Sequence, residues 1–402
     1  MDVLPYIITL TARHIDFFSF ENKFSQERFK RFAELAIFFH YVSKCPSSRD
    51  ADGYETIKNA LIDNLSMLSP DDVFKNFYTS YHIIMPYVFI RREKAIEGLE
   101  KCLDAVCDEE FFSPEIPPHR HMEWSYMLYN ADKIRVLPAP PEGILTKGLF
   151  LPFVDRDLTY ALTHAIFYAT DFGFAENPAL KESADALAFR VACLAARFKR
   201  EKDVDVTLEL AISFLALYPY VAERIAADAW LKGILHIVDR VVLDTHFIPT
   251  PGEIDADTDG VLQKKYHTLF VLGIFASLLK TRMGEGVIDG TAFSSLTCVP
   301  NADEYASPTI LPESAALDLA HGVVESLKRK NYSPEPYAAY QKHFGRNPFL
   351  EEEIARYLSV FRRRNRDGIL WNKEFDALGV SDAQRESLRI DCEKDFCAKM
   401  AF

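Results

Sequence analysis

Apolar residues recur at helical spacing along nearly the whole chain, and runs that alternate apolar with polar between turn residues are almost absent. The pattern predicts an all-α protein, with helices at 25–44, 53–67, 70–84, 91–107, 121–132, 157–171, 178–199, 204–217, 219–243, 260–281, 313–330 and 349–364. Ser69-Pro70 and Asn177-Pro178 supply helix starts, because a capping side chain precedes a proline whose φ suits the first turn. Gly173 is placed to end the helix before it. Three long stretches, 136–154, 245–260 and 283–312, break the periodicity and read as loops of the kind that wall or cover a site.

No fixed-length repeat recurs, so a regular solenoid is not expected. The helices instead suggest an α/α toroid built from helical hairpins, or an irregular multi-helix bundle. Residues 1–345 read as one helical domain with a central cavity, and 346–402, which are more charged, as an appended helix-loop-helix.

The segment DLTYALTHAIFYATDFG, 157–173, has an unusual pattern. At about 100° per residue, one side of the helix gathers Asp157, Tyr160, His164, Phe167, Tyr168 and Asp171. Leu158, Leu162, Ala165, Ile166 and Ala169 fall on the other side. A surface helix pairs an apolar face with a charged one, whereas this helix pairs an aliphatic face with aromatic, imidazole and carboxylate groups. It reads as packed on one side and cavity-lining on the other. Seven residues span about 10 Å of rise, so His164 cannot bond directly to Asp157 or Asp171. A carboxylate at 171 also faces the negative end of the helix dipole, which calls for a nearby cation or donor.

LTHAIFYATDFG (162–173), together with YHTLF (266–270), resembles paired motifs of an uncharacterised bacterial all-helical family. The resemblance implies that His164, Asp171 and His267 belong to one site, and it supplies no reaction. On that basis the three are candidate acid/base groups or ligands of a divalent metal ion. Tyr160 and Tyr168 would donate hydrogen bonds to an anionic or carbonyl group of a substrate.

Other constellations are weaker. His119, His121 and Glu123 alternate before a helix and are an alternative metal set, which fails if the helix has already begun, since i and i+2 diverge by about 200°. His236 and Asp239 stand at i, i+3, but Arg240 beside them favours an ion-pair cluster. Asp255, Asp257, Asp259 and Gly260 match the first half of a calcium loop, yet Tyr266 stands where the bidentate Glu is required. Residues 363–374 resemble the second half of such a loop, with Arg363 opposing a dication at its first position. Zincin, nucleophile-elbow and Walker patterns are absent.

Composition narrows the classes. With 49% hydrophobic residues and 13% aromatics, the chain can bury a large core. A formal net charge of −13 repels a phosphate backbone, so nucleic acid is not an expected partner. The first 20 residues lack a basic leader region, and Arg13, His14 and Asp16 break their apolar stretch, so neither a signal peptide nor a membrane partner is expected. Seven scattered cysteines without C-x-x-C fit a reducing, cytoplasmic setting.

Two readings of function remain. One is an enzyme that hydrolyses, eliminates from or cyclises a small molecule or short peptide, without redox chemistry, in a cavity lined by His, Asp and Tyr. The other is a non-catalytic helical scaffold or interaction module. The enzyme takes precedence because Asp157, His164 and Asp171 occupy a face that ordinary packing fills with aliphatics.

Overall fold

The computed structural model describes residues 3–19, 25–73, 77–107, 118–137, 145, 151, 154–222, 224–288, 312–328, 335–344 and 347–362. Among them the chain is all-α. The helices run α1 (Val3–Arg13), α2 (Gln26–Val42), α3 (Tyr54–Ser66), α4 (Pro70–Val73), α5 (Phe77–Ile90), α6 (Glu97–Val106), α7 (Pro118–Asn130) and α8 (Arg156–Thr170). They continue with α9 (Ala184–Arg200), α10 (Val204–Leu217), α11 (Arg224–Asp244), α12 (Pro251–Ala256), α13 (Thr258–Gly284), α14 (Pro312–Lys328), α15 (Glu335–Phe344) and α16 (Pro348–Arg362).

Helix α10 organises the body. Its sequence, VDVTLELAISFLAL, is apolar all round, and every residue except Asp205 is buried. A helix with no polar stripe needs neighbours on all sides, and α8, α9, α11 and α13 supply them. Helix α13 is 27 residues long, about 40 Å, and runs across α10 to meet α1 and α2. Gly273 sets the closeness of α2 and α13, because a Cβ there would lie 2.4 Å from Cε2 of Phe38. The Phe38 ring fills that space and stacks on Phe270 at 4.6 Å.

Several expectations change. The stretch 245–260 is a loop only as far as residue 250: Thr250 caps α12 in a reciprocal capping box with Glu253, and Asp257 caps α13 by accepting the amide of Gly260. Asp257 and Gly260 thus serve a helix start, and the half calcium loop is used as local helix geometry. Helices α1, α12 and α15 were not foreseen in the pattern. The run 70–84 divides into α4 and α5, and α5 continues through Pro86 to Ile90.

Leu350, Ile354 and Ala355 of α16 lie in the same continuous core as α8 to α13. Phe349 stacks on Phe189 of α9 at 5.4 Å, so the helical body extends past 346. The calcium-like residues 363–374 lie outside the described residues, as do all of 289–311 and most of 136–154.

Candidate functional site

Helices α2, α7, α8, α10 and α13 enclose a cavity of about 720 Å³. His164 and Tyr160 reach it from α8, Asp205 and Glu209 from α10, His267 and Tyr266 from α13, and Glu34 from α2. Two of the expected residues, His164 and His267, therefore meet in one space although about a hundred positions separate them. Both imidazoles open to it, with side-chain exposures of 38% and 42%.

His267 is bracketed by acids. Its Nδ1 lies 3.2 Å from Oε1 of Glu34, and its Nε2 lies 3.4 Å from Oδ1 of Asp205. Enclosure opposes a charge on the ring, but the hydrogen bond to Glu34 and the fields of Glu34, Asp205 and Glu209 prevail and push its pKa up to about 9. For Glu34, burial works against ionisation, and the His267 hydrogen bond and charge outweigh it, so its pKa is lowered. A hydrogen bond from Tyr266 also favours the ionised Glu34.

Glu209 is 3% exposed on an otherwise apolar helix. An isolated carboxylate there would be strongly unfavourable, and two neighbours on α8 meet it. Thr163 donates its hydroxyl to Oε2 at 2.6 Å, and His164 Nε2 lies 3.8 Å from Oε1. Asp205, one turn earlier, accepts from the Tyr160 hydroxyl at 2.6 Å and from the Thr268 hydroxyl at 2.8 Å. The i, i+4 spacing puts both acids on one side of α10.

The tyrosines are committed differently from the sequence expectation. Tyr160 spends its hydroxyl on Asp205, and Tyr168 donates to Glu123 at 3.0 Å, so both orient carboxylates of the wall. The rings of Tyr160, Phe167, Tyr168, Phe172, Tyr266 and Phe270 make the apolar part of the lining.

Asp171 does not line the cavity. It ends α8 in the left-handed conformation, φ 50°, followed by Phe172 at φ 53° and Gly173 at φ 86°. This turn swings the carboxylate away into a buried cluster. There Lys44 pairs with Oδ2, while Oδ1 accepts from Tyr126 at 2.7 Å and lies 3.2 Å from the Tyr41 hydroxyl. Burial raises the Asp171 pKa, opposed by Lys44 and Tyr126. Lys44 is the cation that a carboxylate at a helix C-terminus calls for. The ring of Phe172, carried by the same turn, forms part of the cavity wall.

Asp157 is exposed in the first turn of α8, where an acid complements the helix dipole, and is not part of the lining. His119, His121 and Glu123 all fall inside α7, which begins at Pro118. His121 is exposed whereas Glu123 is buried and faces the cavity, so the alternating set is divided by helix geometry; the His119 side chain lies outside the described residues. His236 sits on α11 beside an Arg240–Asp244 ion pair, away from the cavity.

Sequence reasoning missed Asp205, Glu209 and Glu34. The signal for the first two was present: acids four apart in a helix with no other polar face except small hydroxyls. Among the described residues, Asp205, Glu209 and His267 each offer a ligand-type atom within 4.8 Å of the others.

Residues 7–277 match the family described as a domain of unknown function, DUF6895. The chain belongs to that family. The matched span runs from α1 to α13 and holds every cavity residue named above. No curated protein and no solved structure matches the chain. Among the described residues, no helix is long and apolar enough to cross a membrane.

Proposed function

We propose that the cavity is the active site of an enzyme acting on a small molecule or short peptide by hydrolysis, elimination or cyclisation. One observation carries the reading: two imidazoles from distant helices and two acids of α10, the half-buried Asp205 and the buried Glu209, share one chamber of about 720 Å³. Core packing has no use for Glu209, whose burial is unfavourable and which is met by a hydrogen bond from Thr163 and by the His164 ring at 3.8 Å. Groups that are unfavourable for the fold and convergent in a cavity are what chemistry requires.

In this reading, His164 with Glu209 and His267 with Glu34 are two imidazole–carboxylate pairs that move protons at different points of a bound molecule. Asp205 and its donors Tyr160 and Thr268 hold the space between them. The aromatic lining binds the apolar part of the substrate. Five carboxylates face the cavity against Lys30, Arg156 and the His267 ring, which favours a neutral carbonyl-type or positively charged reacting group over an anion.

The test is ligand-observed NMR on the purified chain with mixtures of small carbonyl compounds and dipeptides, repeated on His164→Ala and His267→Ala with melting temperatures. Binding that disappears in both variants while the melting temperature holds supports the active site. Loss of stability without any bound compound assigns the histidines to the scaffold.

A further inference from the structure

We infer that Asp205, Glu209 and His267 form a divalent metal site. The inference rests on the reading of the cavity as the functional site and names the ion that would work there; with the ion bound, His267 and Glu209 are ligands and His164 is left to move protons. The three donor atoms lie within 4.8 Å of one another. Metal bonds of about 2.0–2.2 Å place neighbouring donors roughly 3–3.5 Å apart, so side-chain shifts of about 1 Å close the set.

The stronger observation is how each donor is held. In metal centres a ligating imidazole gives its other ring nitrogen to a carboxylate, which fixes ring orientation and tautomer. His267 has this arrangement: Nδ1 lies 3.2 Å from Glu34, leaving Nε2 facing Asp205. Ligating carboxylates are themselves hydrogen-bonded. Asp205 accepts from Tyr160 and Thr268, and Glu209 accepts through Oε2 from Thr163, which leaves Oε1 on the His164 side. Four helices thus contribute donors or the groups that aim them.

Charge points the same way. Glu34, Asp205 and Glu209 bring three negative charges to one imidazole, more than a single imidazolium balances and a load that a dication relieves. The donors are nitrogen and oxygen without thiolate, which suits Zn²⁺, Mn²⁺ or Fe²⁺. Such an ion would supply Lewis acidity or an activated water.

The test is isothermal titration of the chelator-stripped full chain with Zn²⁺ and with Mn²⁺. One ion per chain is expected. Glu209→Gln and His267→Gln should abolish that stoichiometric binding, and Glu34→Gln should weaken it about 10–100-fold with the stoichiometry retained. His121→Ala, on the exposed side of α7, should leave it unchanged. X-ray absorption of the Zn²⁺-loaded chain should show nitrogen and oxygen neighbours only, a readout that stands even if a ligand variant fails to fold. Absence of 1:1 binding by either ion, binding that survives in folded Glu209→Gln and His267→Gln, or a sulfur neighbour overturns the site. Failure here leaves the small-molecule binding test, run without added metal, to decide the broader reading.

Discussion

The hydroxyl of Thr163 lies 2.6 Å from the buried Oε2 of Glu209 and joins α8 to α10 at the floor of the cavity. Thr163 is itself fully buried, so the pair is shielded from water. Thr163→Val preserves shape but leaves a buried carboxylate oxygen without its donor. It should destabilise the chain by about 1–3 kcal/mol, read from denaturant unfolding. An unchanged midpoint would mean that Glu209 is solvated in the native chain.

Asp171 pairs with Lys44 outside the cavity lining. Asp171→Asn removes the charge opposite Lys44, whose side chain is 24% exposed, and part of the support for two consecutive left-handed residues. The melting temperature should fall, by the equivalent of roughly 1–3 kcal/mol, because Lys44 can reach water only in part. Cavity ligand binding measured below the melting transition should persist. A variant of unchanged stability that no longer binds would return Asp171 to the site.

Far from the cavity, Glu353 of α16 is 1% exposed, lies 3.6 Å from Arg190 and accepts the Leu151 amide at 3.2 Å. Burial raises its pKa from 4.5 to about 7 against the pull of Arg190 and Arg356. Between those values the folded chain keeps a proton that the unfolded chain has released. The contribution is therefore fully favourable below the unfolded pKa, falls as pH rises, and levels off above the folded pKa. The swing is on the order of 3 kcal/mol. Unfolding at pH 5 and pH 8 should show this fall in the native chain and a smaller one in Glu353→Gln. Equal slopes in the two proteins would refute the assignment.

Gly273→Ala should destabilise by about 1–3 kcal/mol, because its Cβ would meet the Phe38 ring at 2.4 Å and that ring is held by its stack on Phe270. Gly284 has open space around its Cβ position, so Gly284→Ala serves as the control without a clash.

The helical pattern and the all-α class were legible because 3.6-residue periodicity is a local property that survives in any helical packing. His164 was legible for the same reason, since it sits in mid-helix where the wheel applies. Asp171 was not: the wheel assumes right-handed backbone, and the φ of 50° at that residue breaks the assumption. Asp205 and Glu209 were overlooked because α10 reads as pure core, and their meaning depends on which helices surround it. Glu34 depended wholly on tertiary placement, as nothing local in α2 separates it from the exposed Glu27. Helix α12 was hidden by Pro251 and Gly252, which mark a turn in isolation but open a capped helix here.

The central claim is that the acids of α10 are held for chemistry and not for the fold. Scanning calorimetry of Asp205→Asn/Glu209→Gln in the metal-free chain tests it most directly. Above pH 9, where His267 is neutral, removing the two negative charges relieves repulsion and the burial of Glu209, so the melting temperature should stay level or rise. A fall of many degrees would show that the acids stabilise the bundle, and would contradict the account.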